Sequence, residues 1–260
     1  NPTCDYPKGR QNIRGYCGPD RYTGQPDVLY MNNGDGTFRD ESTMLVTAKG
    51  GKGLGVIVAD LDNDGRPDVY VANDMEENFL FHNVRTSPDS IANEASRSFE
   101  QPSGVPFELR EIGMLSGAAL SGDGVAEASM GVTCADFDGN GWLDIFLTHF
   151  YHMKNTLYRN LGVMQFVDAS AASQLVASSL DYNGFGTVSL DYDRDGWQDL
   201  FATNGHVLGP DLPPFAMKPQ LWRNGGAGRF REVSRQAGPY FQEQWVGRGA
   251  AMADYDNDGD

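Results

Sequence analysis

The chain has 260 residues, with 36 acidic side chains against 20 basic ones and a formal charge of −16 at pH 7. That balance excludes the clustered Lys/Arg footprint of a nucleic-acid binder, and no apolar run approaches the length of a membrane-spanning helix. The length is ample for one domain. Fifteen of the acidic residues are aspartates gathered in four short loops, so the acidity reads chiefly as ligand charge.

Residues 1–26, NPTCDYPKGRQNIRGYCGPDRYTGQP, are rich in Gly, Pro and Tyr and read as an irregular arm. Cys4 and Cys17 flank a stretch with little core of its own, and a disulfide between them is expected. VLYMNNGDGTF (28–38) reads as strand, turn, strand, because Asn and Gly tolerate the positive φ of tight hairpins. Next comes GLGVIVADLDNDGRPDVYVAND (53–74), in which two apolar, β-branched runs enclose four aspartates within nine residues. NFLFHN (78–83) starts another hairpin, interrupted by an insertion rich in Ser, Glu and Pro that reads as a surface loop. Its return strand is expected near Phe99 or Phe107.

The aspartate loop then recurs as DFDGNGWLD (136–144) and DYDRDGWQD (191–199), and begins again as DYDNDGD (254–260). The hairpin recurs as TLYRNLGVMQF (156–166) and QLWRNGGAGRF (220–230). Cys134, in the apolar run before the second loop, reads as a buried free thiol.

Each loop has an oxygen side chain at positions 1, 3 and 5 and glycine at position 6, and the three complete copies have aspartate at position 9. Alternate oxygen ligands closed by a glycine suit a loop wrapped around a hard cation. Calcium accepts six to eight oxygens in a flexible shell, whereas magnesium demands a stricter octahedron. Zinc prefers the Cys and His that these loops lack. An EF-hand loop would need Glu at position 12 and helical flanks; here position 12 is Val71, Leu147 or Ala202, between strands. The alternative is a set of Asp/Asn/Gly turns without metal.

A glycine five residues before each loop, at Gly55, Gly131, Gly186 and Gly249, has a small partner two residues earlier, as GLG, SMG, GFG and GRG. A loop-hairpin alternating with a plain hairpin gives about four strands per unit, with units starting near 27, 78, 155 and 220. Four-stranded units repeated around an axis describe an all-β fold, a β-propeller of four-stranded blades. The fourth loop ends before its ninth position, so the sequence is expected to be part of a longer chain.

The G-x-G-x-x-x-x-D-x-D-x-[DN]-G-x-x-D frame and the LYRN-type hairpin resemble the FG-GAP/VCBS repeats shared with integrin α-subunits, over about residues 26–260. YCGPDRYTGQPDVLY (16–30), NNGDGTF (32–38) and DLFATNGHV (199–207) are most similar to the bacterial branch resembling cartilage acidic protein, which usually carries a C-terminal ASPIC/UnbV segment absent from this sequence. The resemblance implies part of a seven-bladed propeller, exported, with calcium in its hairpin loops and a role in adhesion or protein contact. It implies as ligands Asp60, Asp62, Asp64 and Asp68; Asp136, Asp138, Asn140 and Asp144; and Asp191, Asp193, Asp195 and Asp199. The backbone carbonyls of Arg66, Trp142 and Trp197 would complete the three shells, and Asp254, Asp256 and Asp258 would begin a fourth.

The expected function is a secreted calcium-stabilised module for adhesion, protein interaction or scaffolding, with no catalytic residues. A disulfide and calcium loops of the weak extracellular class both point outside the cytosol. FYHMK (150–154) and HVLGPDLPPF (206–215) could form a contact surface, or simply pack as loops. Two alternatives remain open. One is a sugar-active enzyme, for which His149 and His152 could meet in space; His82 and His206 complete the histidines, and none sits in a recognisable catalytic motif. The other is a lectin-like glycan binder, against which the loops weigh because their own side chains would fill the metal shell.

Overall fold

Alternating apolar runs separated by loop signals fold into antiparallel strands throughout the computed structural model, which describes residues 3–8, 11–46, 50–85, 107–209 and 214–256. The N-terminal arm is more regular than its Gly- and Pro-rich composition predicts. Strands β1 (Thr3–Lys8) and β2 (Gln11–Tyr16) pair antiparallel, and Cys4 and Cys17 are joined in a disulfide with their Cα atoms 5.0 Å apart. A second two-stranded sheet joins β3 (Tyr30–Asn32) to β4 (Phe38–Asp40) across the NGDG turn.

Three larger sheets follow. The first holds β6 (Gly53–Ala59), β7 (Asp68–Asn73), β8 (Phe79–Arg85) and β9 (Phe107–Glu111), in that spatial order, with the short β5 (Leu45–Val46) parallel to β9 at its edge. The second holds β10 (Ser129–Ala135), β11 (Asp144–His149), β12 (Thr156–Asn160) and β13 (Phe166–Asp168). The third holds β14 (Gly184–Leu190), β15 (Asp199–Asn204), β16 (Gln220–Asn224) and β17 (Phe230–Glu232). These are propeller blades. The return strand after the insertion begins at Phe107; the alternative at Phe99 lies outside the described residues.

The blades are offset by one hairpin from the units expected at 27, 78, 155 and 220. Each begins with its aspartate-loop hairpin and ends with the plain one. The ladders set this phase: β7 pairs with β8, β11 with β12 and β15 with β16, across connections of five, six and fifteen residues, whereas β13 and β14 share no ladder. In this phase β3 and β4 correspond to the outer half of a blade preceding the first.

The glycine pairs explain how the blades approach one another. A Cβ on Gly131 would lie 2.0 Å from the Phe185 carbonyl oxygen, one on Gly55 would lie 2.5 Å from that of Met130, and one on Gly186 would lie 2.3 Å from Ala250 N. The first strands of successive blades therefore pack backbone to backbone, a contact only glycine permits. A register shift falls at the same place in all three, between Gly53 and Gly55, Ser129 and Val132, and Gly184 and Thr187.

Both faces of a blade are covered, so its strands read as continuous apolar runs. Tyr70, Ala72 and Leu80 of the first blade pack with Ile145, Leu147 and Tyr158 of the second. Phe146 and Leu157 of the second pack with Leu200, Ala202 and Trp222 of the third. Cys134 is free, as expected, but half-buried rather than buried.

Candidate metal loops

All three complete aspartate loops fold alike, at the same end of their blades. The position 6 glycines, Gly65, Gly141 and Gly196, have φ of 83°, 88° and 90°, which confirms the positive φ read from the sequence. The first aspartate folds the loop around itself by accepting backbone N–H bonds. Asp60 accepts from Asp64 and Gly65, Asp136 from Gly139, Asn140 and Gly141, and Asp191 from Asp195 and Gly196, at 2.8–3.1 Å. At position 5, Asp64, Asn140 and Asp195 accept from the N–H two residues on, at 2.9, 2.8 and 3.0 Å.

The position 9 aspartates open the second strand and are buried, with Asp144 only 1% exposed. Each ties the loop to the plain hairpin of its blade. Asp144 accepts from Phe137 N at 3.1 Å and from Asn160 N at 2.8 Å. Asp68 does the same with Leu61 and Asn83, and Asp199 with Tyr192 and Asn224. Burial pushes all three carboxyls up; for Asp144 the neighbouring Asp138 and Asp136 add to it, and its pKa reaches about 7.

Three groups of carboxylates result: Asp60, Asp62 and Asp68; Asp136, Asp138 and Asp144; Asp191, Asp193 and Asp199. Each offers oxygens within 4.8 Å of one another and could hold a metal ion. The donor chemistry fits a hard cation, since a carboxylate keeps acceptor capacity after taking one N–H bond per oxygen. In the first loop, Asp62 Oδ1 is buried with no hydrogen-bond partner among the described residues, an acceptor left over for such an ion. The fourth copy differs. Asp254 and Asp256 are exposed and form no cluster among the described residues, and Asp258 lies outside them.

Position 7 does more with its side chain than the sequence reading allowed. The Trp142 ring packs against Gly162 in the hairpin turn of its own blade. Trp197 lies between Gly226 of its own turn and Gly139 of the preceding loop, where a Cβ would come within 3.1 Å of the ring. Arg66 pairs with Asp64 and donates from Nε to the Asn83 carbonyl at 2.9 Å.

Sequence reasoning missed two further participants, both in the LYRN-type hairpin. Asn160 donates from Nδ2 to Leu143 O in its own loop and to Leu61 O in the preceding one, at 3.0 and 2.8 Å. Asn224 repeats this with Gln198 and Phe137. The residue before each asparagine is a basic side chain that reaches back to the position 3 aspartate: His82 to Asp62, Arg159 to Asp138 and Arg223 to Asp193. The signal was present in the repeated Arg-Asn pair, which had been read only as a strand end.

At the opposite end of the blades the two loops expected to form a contact surface do meet. Phe150 and Tyr151 pack against His206 with ring centroids 5.3 and 5.8 Å apart, and His152 stacks on Tyr151 at 3.9 Å. Residues 210–213 lie outside the described residues. His149 points elsewhere: it is 1% exposed, with Nε2 3.1 Å from Thr156 Oγ1 and 3.7 Å from Glu127 Oε2. Burial lowers its pKa to about 4.

Four-stranded blades joined through their first strands, each with an acidic loop at one end, define a propeller-type repeat protein. A profile of FG-GAP-like repeats matches residues 17–71, 136–202 and 191–260, more than half of the sequence, and the chain belongs to that family. Cartilage acidic protein 1 of Xenopus tropicalis is 26% identical over 205 residues, 76% of this chain and 28% of that protein. The Homo sapiens protein of the same name is 27% identical over 196 residues, 73% of this chain and 26% of that one. The chain thus spans about a quarter of the length of these relatives. Among solved structures, an Agrocybe aegerita lectin recognising non-reducing terminal N-acetylglucosamine aligns with 78% of this chain and 44% of its own, at 20% identity and a TM-score of 0.37.

Proposed function

We propose that the chain is a calcium-stabilised propeller module that serves protein contact outside the cytosol. The observation that carries the calcium reading is the threefold recurrence of one arrangement, three carboxylates converging with the position 9 aspartate buried beneath them. Oxygen donors in every loop favour calcium over zinc. Bound calcium would supply the positive charge that lets clustered carboxylates share a tight turn. The protein's own residues do the rest: Asp60, Asp136 and Asp191 shape the turn, and Asp68, Asp144 and Asp199 fasten it to the blade. The carbonyls of Arg66, Trp142 and Trp197 are assigned as further ligands by the family frame.

The disulfide between Cys4 and Cys17 supports an oxidising compartment. For the contact surface, the aromatic group of Phe150, Tyr151 and His152 beside His206 is the assigned patch, since aromatics are enriched at interface centres. Calorimetric titration with calcium, and separately with magnesium, tests the metal reading. Saturable calcium heats from two or three sites, absent with magnesium, are expected. No calcium heat at millimolar concentration would overturn it. A Phe150→Ala/Tyr151→Ala variant that captures the same proteins as the unchanged chain would overturn the assigned patch.

A further inference from the structure

The three complete loops share one frame, yet they differ in the cation that the third strand aims at them. Arg159 Nε lies 2.9 Å from Asp138 Oδ2. Arg223 takes two carboxylates, with Nε 2.5 Å from Asp193 Oδ2 and Nη2 2.5 Å from Asp195 Oδ2. Asp138 and Asp193 both belong to the convergent clusters. The equivalent residue in the first blade is His82, with Nε2 2.9 Å from Asp62 Oδ2, while Asp62 Oδ1 is buried with no partner among the described residues. Arg66 in that loop pairs with Asp64, the position 5 counterpart of Asp195, so a guanidinium meets every loop; only in the first does it leave the position 3 aspartate, Asp62, to an imidazole.

Resting on the reading that these loops take calcium, we propose that Arg159 and Arg223 are built-in counter-ions that weaken calcium binding at the second and third loops, and that His82 leaves the first loop the tightest site. A guanidinium is a permanent charge with a fork that matches a carboxylate, and an imidazole is neither. An oxygen already neutralised by a guanidinium gains less from a divalent ion. The same pairing holds the position 3 aspartate of the second and third loops in place when calcium is scarce.

The test is calcium titration calorimetry on the unchanged chain and on Arg159→Gln, Arg223→Gln and His82→Arg, with melting curves in EDTA. One tight and two weaker sites are expected in the unchanged chain. Each Arg→Gln change should tighten one weak site about fivefold, the scale of a single ion pair, while lowering the EDTA melting temperature. His82→Arg should weaken the tight site by a similar factor and raise that temperature. Arg159→Lys, which keeps the charge, should stay near the unchanged affinity and covers the case in which a Gln variant does not fold. A merely structural arginine would lower the EDTA melting temperature and leave calcium affinity unchanged or weaker; that result, with calcium still binding, overturns this proposal alone. No calcium heat in the unchanged chain would overturn the calcium reading and this proposal with it.

Discussion

The side-chain amide of Asn160 donates a 2.8 Å hydrogen bond to the backbone carbonyl of Leu61, ninety-nine residues earlier and in the preceding blade. The same nitrogen also donates to Leu143 O, and Asn160 Oδ1 accepts from Gly162 N. One buried side chain thus fixes its own aspartate loop, its own hairpin turn and the neighbouring loop. Asn160→Ala would strand two carbonyls and one N–H away from water, and should cost about 2–4 kcal/mol. Asn83, whose side chain donates only to Pro67 O among the described residues, should cost about half as much when changed to alanine. Urea unfolding of the two variants checks the ordering.

Gly131→Ala puts a methyl group where the Phe185 carbonyl oxygen would be 2.0 Å away, with backbone rather than a flexible side chain in the way. The two first strands must separate, at a cost of about 3 kcal/mol or more. Gly225→Ala is the control. A Cβ there would meet nothing closer than 3.6 Å, so its unfolding midpoint should stay near that of the unchanged chain.

His149 gives a pH dependence with a definite sign. Its pKa falls from 6.5 to about 4 on burial, so between those values the unfolded chain binds the extra proton. Stability is present above about pH 6.5 and is lost as pH falls toward 4, by on the order of 3 kcal/mol. Asp144 works the other way in calcium-free buffer. Its raised pKa, about 7, adds stability that is full below the ordinary carboxylate range and lost as pH rises through 7. The two oppose each other in one window, so the informative measurement is the difference between the unchanged chain and His149→Gln in EDTA. The variant should lose less stability from pH 7 to pH 4.5; equal losses would show that His149 does not titrate as described.

Trp197 bridges two loops through packing alone, touching Gly139 and Gly226. Trp197→Ala should lower the melting temperature and, with calcium bound, weaken the second loop as well as the third. Trp142→Ala, whose ring packs on its own turn at Gly162, should affect the second loop alone. Calcium titrations of both variants separate the cases.

The loops were legible in the sequence because their chemistry is local: oxygen side chains at fixed spacing around a glycine leave few other readings. The strands were legible too, since apolar runs such as DVYVAN and DIFLTH sit between turn signals. The phase of the blades was not, because a strand's sequence says little about which edge it pairs. Nor were the reach of Asn160 into another blade and that of Arg159 back to Asp138, which exist only after the sheets stack. The arm was misread as irregular because Gly and Pro obscured the pairing of Thr3–Lys8 with Gln11–Tyr16.

The most direct test of the central claim is thermal unfolding of this chain in excess calcium, in magnesium and in EDTA. At calcium about ten times the dissociation constant, each site adds roughly 1.4 kcal/mol. Three sites would then raise the melting temperature by roughly 8–15 °C for a chain of this size. A rise of that order in calcium and little in magnesium is the predicted result. Coincident curves in all three buffers would contradict the account, and would mean that the aspartate loops are turns held by their own N–H bonds and arginines.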